Sequence, residues 1–211
     1  MPDKIKGTLE FKSHVIPNGI DDFWFKNKFR NRKQLKPKKI NLLYVGGDIN
    51  ENKNLLITIK AIKLLIKEGC YIKFTIVGKV KDNKIFNKIV KETIVNYIKP
   101  VEKEELINIY REHDIFVMPS IHETFGLVYV EAMSQGLPII YTKNQGFDGQ
   151  FTNGVVGYSV DCFNEKEIAD RILMISHNYN NISDNCTRKS NLFDWNKLTQ
   201  DYNNIYHNLE Y

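Results

Sequence analysis

Residues 114–141, DIFVMPSIHETFGLVYVEAMSQGLPIIY, constrain the fold of this chain more than any other stretch. They open with a short apolar run, 115–118, that is typical of a buried strand. A polar loop follows, then a second apolar segment, which Gly136-Leu137-Pro138 ends before another apolar run. The succession of strand, loop, helix, Gly-Pro stop and strand predicts a βαβ unit, in which the two strands are parallel.

The rest of the chain repeats this alternation. Apolar runs at 40–45 and 71–77 are typical of strands buried on both faces, and brief strands are predicted at 11–16, 97–98 and 155–160. Helical spacing predicts helices over 54–67, 82–96 and 102–112, and one or two helices over 184–211. Asn164, with Glu167 three residues later, predicts a capped helix through Ile175. The predicted fold class is therefore α/β, an open, mostly parallel, Rossmann-like sheet with helices on both faces.

Three segments are expected along the chain. Residues 1–39 form an N-terminal strand and a basic loop, residues 40–180 the Rossmann-like domain, and residues 181–211 the C-terminal helices. The net charge of +5 is partly local, because residues 26–39 alone hold eight basic side chains. We interpret this run as a solvated linker, with peripheral contact to an anionic membrane surface as the alternative. A nucleic-acid partner is not expected.

Composition narrows the class of protein further. Hydrophobic residues make up 42% and charged residues 26%, as in ordinary soluble domains. No apolar run approaches the ~18 residues of a membrane-spanning helix, and MPDKIKGTLE lacks the apolar core of a signal peptide. Cys70, Cys162 and Cys186 form no CxxC pair. This pattern favours reduced thiols and a cytoplasmic location, with a peripheral position at the inner face of the membrane as the alternative.

Candidate binding residues follow the strands at 40–45 and 115–118, because ligands of parallel sheets bind at the carboxyl ends of the strands. After the first strand come Gly46, Gly47 and, just before a helix, Lys53. Glycine lets a backbone approach phosphate closely, and lysine supplies a point charge. The alternative interpretation is that the two glycines only make a turn.

The loop after 115–118 is the stronger candidate. The backbone amides of Phe125, Gly126 and Leu127 lie at the predicted start of a helix, where the helix dipole favours a diphosphate. Glu131 lies deeper in this helix among apolar residues, so that burying it requires a partner, such as two sugar hydroxyls. Glu123 would lie on the other side of the phosphates. Alternatively, Glu131 faces solvent and Glu123 only caps the helix.

At these residues the sequence resembles the retaining, GT-B-type glycosyltransferases of family 4 (glycosyl transferases group 1), specifically their C-terminal, donor-binding half. The segment PSIHETFGLVYVEAMSQGLPII is similar to the family pattern P-S-x-x-E-x-F-G-[L]-x-x-x-E-A-M-x-x-G-x-P-[V/I]-[I/V]. Further matches are VIPNGID, LYVGG with the later Lys53, IVG at Gly78, and ELINIYREHDIFVMPS. Together they cover roughly residues 14–160 in the family's order.

The resemblance implies roles for single residues. Glu123 and Lys53 would be catalytic, the first contacting hydroxyls of the donor sugar and the second stabilising the departing diphosphate. Glu131 would bind the ribose hydroxyls of the nucleotide. The implied donor-binding residues are completed by Gly46, Gly47, Phe125, Gly126, Leu127 and, beside the base, Pro100. No metal and no other cofactor is implied.

The chain also departs from the family. An arginine that contacts the diphosphate is replaced by Gly47, so that either Lys79 or Lys143 substitutes for it or turnover is weaker. From the resemblance we expect the N-terminal acceptor domain to be missing, residues 1–39 to include a remnant of the interdomain linker, and the fragment to be weakly active or inactive alone. Its last helix, around residues 195–206, would pack across the junction between the two domains.

The expected function is transfer of a sugar, with retention, from a UDP- or GDP-linked donor to a glycan or lipid-linked acceptor in polysaccharide or glycolipid assembly. Two alternatives stay open. One is half of a GT-B sugar-nucleotide epimerase that uses the same nucleotide site. The other, suggested by Gly47, is a nucleotide-sugar-binding module without catalysis.

Overall fold

The computed structural model describes residues 14–29, 32, 34–36 and 38–209, with the side chains of 208 and 209 left out. Its centre is a six-stranded, fully parallel sheet in the order β3-β2-β1-β4-β5-β6. The strands are β1 (Lys39–Ile49), β2 (Tyr71–Val80), β3 (Val95–Ile98), β4 (Ile115–Val117), β5 (Ile139–Thr142) and β6 (Gly157–Val160). The predicted open α/β sheet is confirmed.

Helices flank the sheet in two groups. Their bounds are α1 (Asp22–Lys26), α2 (Leu55–Lys67), α3 (Asn83–Ile89), α4 (Lys103–Glu112), α5 (Leu127–Ser134), α6 (Glu165–His177), α7 (Tyr179–Lys189) and α8 (Trp195–Leu209), with short 3-10 helices at Glu51–Lys53 and Ser190–Phe193. Helix α2 packs against α3 and α6, whereas α5 packs against α1 and α7. This division into two layers is what covers both faces of a parallel sheet.

The buried core runs through the βαβ unit that the sequence singled out. All three residues of β4 and all four of β5 are buried. Helix α5 is buried at five of its eight positions, Tyr129, Val130, Ala132, Met133 and Ser134. It is covered on two sides, by the sheet and by α7, which explains why its apolar residues follow no single stripe. Residues 115–142 are therefore the centre of the molecule.

The strand order reverses between β1 and β4. From β1 the chain moves outward through β2 to β3, then crosses back to β4 and continues outward to β6. The two inner strands meet through Leu42 opposite Ile115 and Leu43 opposite Phe116. In such sheets a crevice opens at this topological switch point, beyond the carboxyl ends of the two strands.

Strand β1 is longer than predicted. It continues through Gly46 and Gly47 to Ile49, and its pairing with β2 shifts register between Val45 and Asp48. The prediction that the two glycines form a loop or turn after the strand is therefore wrong. The ladder accommodates them in an irregularity of the β-bulge type, with two residues of β1 opposite one of β2.

Two other predicted elements differ from the structure. The helix expected over 82–96 ends at Ile89, and its last residues belong to β3, where Val95 pairs with Phe74. Val95 and Asn96 pair with the open edge of β2 instead, so tertiary pairing overrides the helical spacing there, and residues 97–98 form a strand as predicted. Of the strand predicted at 11–16, residues 11–13 lie outside the described residues and 14–16 form no strand.

The predicted cap of α6 is confirmed with one change of partner. Asn164 Oδ1 accepts a hydrogen bond from the Glu167 amide at 3.0 Å, as a capping box requires. The Glu167 carboxylate accepts from the Asp161 amide at 3.1 Å rather than from the cap residue itself. The cap therefore also fixes the end of β6.

Buried residues from all three expected segments share one core, including Ile20 and Trp24 near the start and Phe193 near the end. The division into segments 1–39, 40–180 and 181–211 stays a prediction. Across the described ranges, no helix is both long and apolar enough to cross a membrane.

Candidate functional site

An ion pair stands directly over the switch point. Lys53 ends the 3-10 helix that follows β1, and Glu123 lies in the loop that follows β4. Lys53 Nζ lies 3.1 Å from Glu123 Oε2, and the two side chains are 19% and 13% exposed. Two residues that are 70 positions apart in the sequence thus meet where a ligand of this sheet is expected.

The loop after β5 holds Glu123 in place. The Glu123 amide donates to Gln145 Oε1 at 3.0 Å, and its carbonyl accepts from the Gly146 amide at 3.1 Å. The second carboxylate oxygen, Oε1, accepts from the Thr124 amide at 3.1 Å. A Cβ at Gly146 would lie 1.4 Å from the Thr124 carbonyl oxygen, so only glycine permits this approach.

Two asparagines attach the Lys53 turn to the Glu123 loop. Asn52 Nδ2 donates to the His122 carbonyl and its Oδ1 accepts from the His122 amide, both at 2.9 Å. Asn54, in the left-handed conformation at φ 54°, donates through Nδ2 to the carbonyls of Pro119 and Cys162 at 3.2 and 2.6 Å. Together they fix the position of Lys53 relative to Glu123.

Neither asparagine was predicted from the sequence as part of the site. The only signal for them is that they flank Lys53 in the order Asn-Lys-Asn. An asparagine just before a helix reads as an ordinary cap, and nothing in the sequence shows that its side chain reaches two other strand ends.

The start of α5 supplies unpaired donors. Gly126 is the N-cap at φ 79°, and no side chain caps the helix. In the described part of the chain, no protein group accepts a hydrogen bond from the amides of Phe125, Gly126 or Leu127. These amides and the positive end of the helix dipole form a ready site for an anion. A Cβ at Gly126 would lie 2.5 Å from the Tyr129 ring, which excludes larger residues there.

A cavity of about 340 Å³ joins these features and is hereafter called the amide cavity. It is lined by most of the site residues predicted from the sequence, namely Gly46, Gly47, Lys53, Glu123, Phe125, Gly126 and Leu127. Asn18 also lines it and was missed. The neighbouring Gly19 lies under the Trp195 ring, 2.7 Å from where its Cβ would be, so α8 positions this segment at the mouth.

The two glycines of β1 differ in their surroundings. A Cβ at Gly46 would lie 2.1 Å from the Tyr44 hydroxyl, and one at Gly78 would lie 2.4 Å from the Gly46 carbonyl oxygen. Gly46 is therefore required for close packing of the backbone. At Gly47 an added Cβ meets nothing within 4 Å. That position is open towards the cavity, and its glycine is not imposed by packing.

Glu131 lies on α5 outside the lining of the amide cavity. It is half-buried rather than facing solvent, and its Oε2 accepts a hydrogen bond from the Tyr110 hydroxyl at 3.2 Å. Burial raises the pKa of Glu131 to about 7, against the hydrogen bond from Tyr110, which lowers it. A carboxyl group with a single partner of this kind has capacity left for further donors.

Pro100 lies apart from the amide cavity. It is exposed beyond the end of β3, which is separated from β1 by β2. At about 4.8 Å per strand this places the end of β3 about 10 Å from the end of β1. The structure thus brings seven of the nine proposed residues together, and the roles of all nine stay predictions.

The described part of the chain offers no candidate metal site. Within the described ranges, no three His, Cys, Asp or Glu side chains are grouped so that they could hold an ion. The prediction that donor binding involves no metal therefore stays a prediction. Cys70, Cys162 and Cys186 are buried and unpaired.

Comparison with known proteins assigns the family. The chain matches the model of the glycosyl transferases group 1 over residues 25–191. It is 32% identical over 168 residues to the D-inositol 3-phosphate glycosyltransferase of Pseudarthrobacter chlorophenolicus, with 74% of this chain and 40% of that protein covered. It is 30% identical over 181 residues to an uncharacterized 41.2 kDa protein in the cps region of Klebsiella pneumoniae, covering 83% of this chain and 48% of that protein. The chain thus spans less than half the length of these curated relatives.

Solved structures share the fold. Sucrose-phosphate synthase from Thermosynechococcus elongatus superimposes with a TM-score of 0.75 at 18% identity, over 99% of this chain and 56% of that one. The C-terminal domain of a glycosyl transferase group 1 family protein from Francisella tularensis gives a TM-score of 0.64 at 22% identity, over 81% of this chain and 95% of that domain. The six-stranded sheet is that of one half of a GT-B fold, and the chain belongs to the glycosyl transferases group 1 family.

Proposed function

We propose that this chain is the donor-binding half of a glycosyltransferase that takes a sugar from a UDP- or GDP-linked donor. The observation that carries the proposal is the amide cavity, where the free amides of Phe125, Gly126 and Leu127 face the Lys53–Glu123 pair across the switch point. Backbone amides at a helix start bind phosphate oxygens, and Lys53 has protons left after pairing with Glu123.

The same arrangement suits the chemistry of sugar transfer. When the bond between the anomeric carbon and the diphosphate breaks, negative charge develops on the departing diphosphate. Lys53 and the start of α5 would stabilise this charge, and both are already in place before the reaction. Glu123, held by three main-chain contacts, would accept hydrogen bonds from sugar hydroxyls. Transfer with retention is what the family resemblance implies.

The proposed roles of the other residues follow from a donor whose diphosphate lies in the amide cavity. Glu131 would bind the ribose hydroxyls through the oxygen that Tyr110 leaves free, and Pro100 would lie beside the base. Since the chain spans less than half of its curated relatives, we propose that a second domain binds the glycan or lipid-linked acceptor and closes over the donor. A cytoplasmic location, with peripheral membrane contact through residues 26–39, completes the proposal.

A ligand panel tests the proposal. The chain is titrated by calorimetry with UDP, GDP and ADP and with UDP-glucose and GDP-mannose, each up to millimolar concentration. We expect one uridine or guanosine pair to bind, and Glu131→Ala to weaken that binding by about tenfold or more through loss of a charge-assisted contact to ribose. If no nucleotide binds, the donor site does not exist.

The panel also separates the alternatives. In the full-length protein, release of free sugar or its transfer to an acceptor supports the transferase. Interconversion of the sugar nucleotide without an acceptor would instead identify an epimerase, and binding without any turnover a binding module.

A further inference from the structure

A second and larger cavity, of about 670 Å³, lies against the Lys53–Glu123 pair on the side of the β5 loop. Besides the pair, it is lined by Asn52, His122, Asn144 and Gln145; we call it the sugar cavity. We propose that it receives the sugar ring of the donor and that His122, Asn144 and Gln145 select the sugar by its hydroxyls. This inference rests on the proposed nucleotide-sugar function.

The lining combines a fixed backbone with uncommitted side-chain groups. Asn52 holds both main-chain groups of His122, and the Asn144 amide donates to Asp148 Oδ2 at 2.7 Å. Within the described ranges, the His122 ring, the Asn144 side chain and Gln145 Nε2 have no protein partner. Imidazole and carboxamide groups both donate and accept, which neighbouring hydroxyl groups on a sugar ring require.

Charge distinguishes the two cavities. Lys53 and Glu123 line both of them and offset each other's charge. The amide cavity adds the unpaired amides at the start of α5, which favour an anion. The described lining of the sugar cavity adds only neutral amides, a glycine, a threonine and His122. A neutral, hydroxyl-rich group therefore suits the larger cavity, and a diphosphate suits the smaller one.

The two cavities are continuous, so one ligand could occupy both. The cavities share Lys53, Glu123 and Thr124, so a molecule whose phosphates contact the amides of α5 has its next group at the ion pair. In a nucleotide sugar that next group is the sugar ring. The volume of about 670 Å³ lies within the range of ~300–1,000 Å³ that is common for small-molecule sites.

The test compares a nucleotide with its sugar-bearing form. Calorimetric dissociation constants are measured for UDP against UDP-glucose, or GDP against GDP-mannose, whichever pair binds the unmodified chain. The variants are His122→Ala and Asn144→Gly. Glycine is chosen because Asn144 has φ 60°, a conformation that alanine would strain. Each variant is expected to weaken the sugar nucleotide by about 3-fold to 10-fold, as one lost hydrogen bond implies, and to leave the nucleoside diphosphate within about 2-fold.

Two matched variants control for indirect effects. Lys38→Gly changes another exposed left-handed residue, at φ 66°, at the opposite end of β1, and His177→Ala removes an exposed imidazole at the end of α6. Neither should change the ratio of the two dissociation constants. An unchanged affinity of His122→Ala and Asn144→Gly for the sugar nucleotide overturns the proposal, as does an equal loss for both ligands. Absence of any nucleotide binding to the unmodified chain refutes the proposed function instead.

Discussion

Replacing Glu131 by glutamine should stabilise the unliganded protein at neutral and alkaline pH. The carboxyl group is half-buried on α5, with one hydrogen bond from Tyr110, and burial raises its pKa from an ordinary value of 4.5 to about 7. Glutamine has nearly the same shape, keeps an oxygen that can accept from Tyr110, and cannot ionise. The substitution therefore removes the cost of ionising a buried carboxyl group.

The sign and size follow from proton linkage. Between pH 4.5 and about 7 the folded chain keeps a proton on Glu131 that the unfolded chain has lost, so the free energy of unfolding falls as pH rises. At about 1.4 kcal/mol per pH unit, the rise in pKa corresponds to at most about 3.5 kcal/mol above pH 7. Because water reaches part of the side chain, we expect about 1–2 kcal/mol in practice.

Urea denaturation of both proteins from pH 4.5 to 8.5 measures this difference. The stability of Glu131→Gln minus that of the unmodified protein should start near zero and rise across the range. Burial lowers the pKa of His113, which makes stability fall as pH drops from the ordinary value of 6.5 towards the lowered pKa, but this contribution is present in both proteins and cancels. Glu105→Gln, at an exposed position of α4, is the control. A difference that does not change with pH would refute the reasoning.

Three further predictions concern the amide cavity and its supports. Lys53→Met should weaken nucleoside diphosphate binding by about 10-fold to 100-fold through loss of a charge-assisted contact, and an unchanged calorimetric affinity would place the phosphates elsewhere. Gly47→Arg should tighten the same binding several-fold and change the melting temperature by no more than about 2 °C, because a Cβ there meets nothing within 4 Å. Gly46→Ala should lower the free energy of unfolding by about 1–3 kcal/mol, because its Cβ would lie 2.1 Å from the buried Tyr44 hydroxyl. Equal melting temperatures for the two variants would contradict this pair of predictions. Asn54→Ala should cost about 2–3 kcal/mol in urea denaturation, through two lost hydrogen bonds and strain at positive φ, and Asn54→Gly about 1 kcal/mol less; equal costs would show that backbone strain plays no part.

The fold could be predicted because its strongest signals are local. Apolar runs without alternation indicate parallel strands, and Gly-Pro punctuation gives the bounds of the central βαβ unit within a residue or two. The errors arose where pairing with a distant strand decides the conformation. Residues 95 and 96 continue a helical pattern but pair with β2, and Gly46-Gly47 reads as a turn although β2 extends beside it.

The site was predictable in part for the same reason. Lys53, Glu123 and the amides of 125–127 stand in motifs that occupy short stretches of sequence. Asn52, Asn54 and Gln145 act across 22 to 108 residues, through one or two side-chain hydrogen bonds each to the main chain of other loops. Such contacts leave no periodicity and no spacing, so that only the folded arrangement reveals them.

The short pairing between β1 and β4 implies that the proposed donor would also stabilise the sheet. Only two residue pairs are in register between these strands, against nine between β1 and β2, so few ladder contacts join the two halves of the sheet. A nucleotide held by Lys53 on one side and by the start of α5 on the other would bridge the two halves. Saturating donor, at a hundred times its dissociation constant, would add about 2.7 kcal/mol to the stability of the whole chain. Slower hydrogen exchange at Leu43 and Phe116 with donor than without it would then show that the substrate holds the two halves of the sheet together.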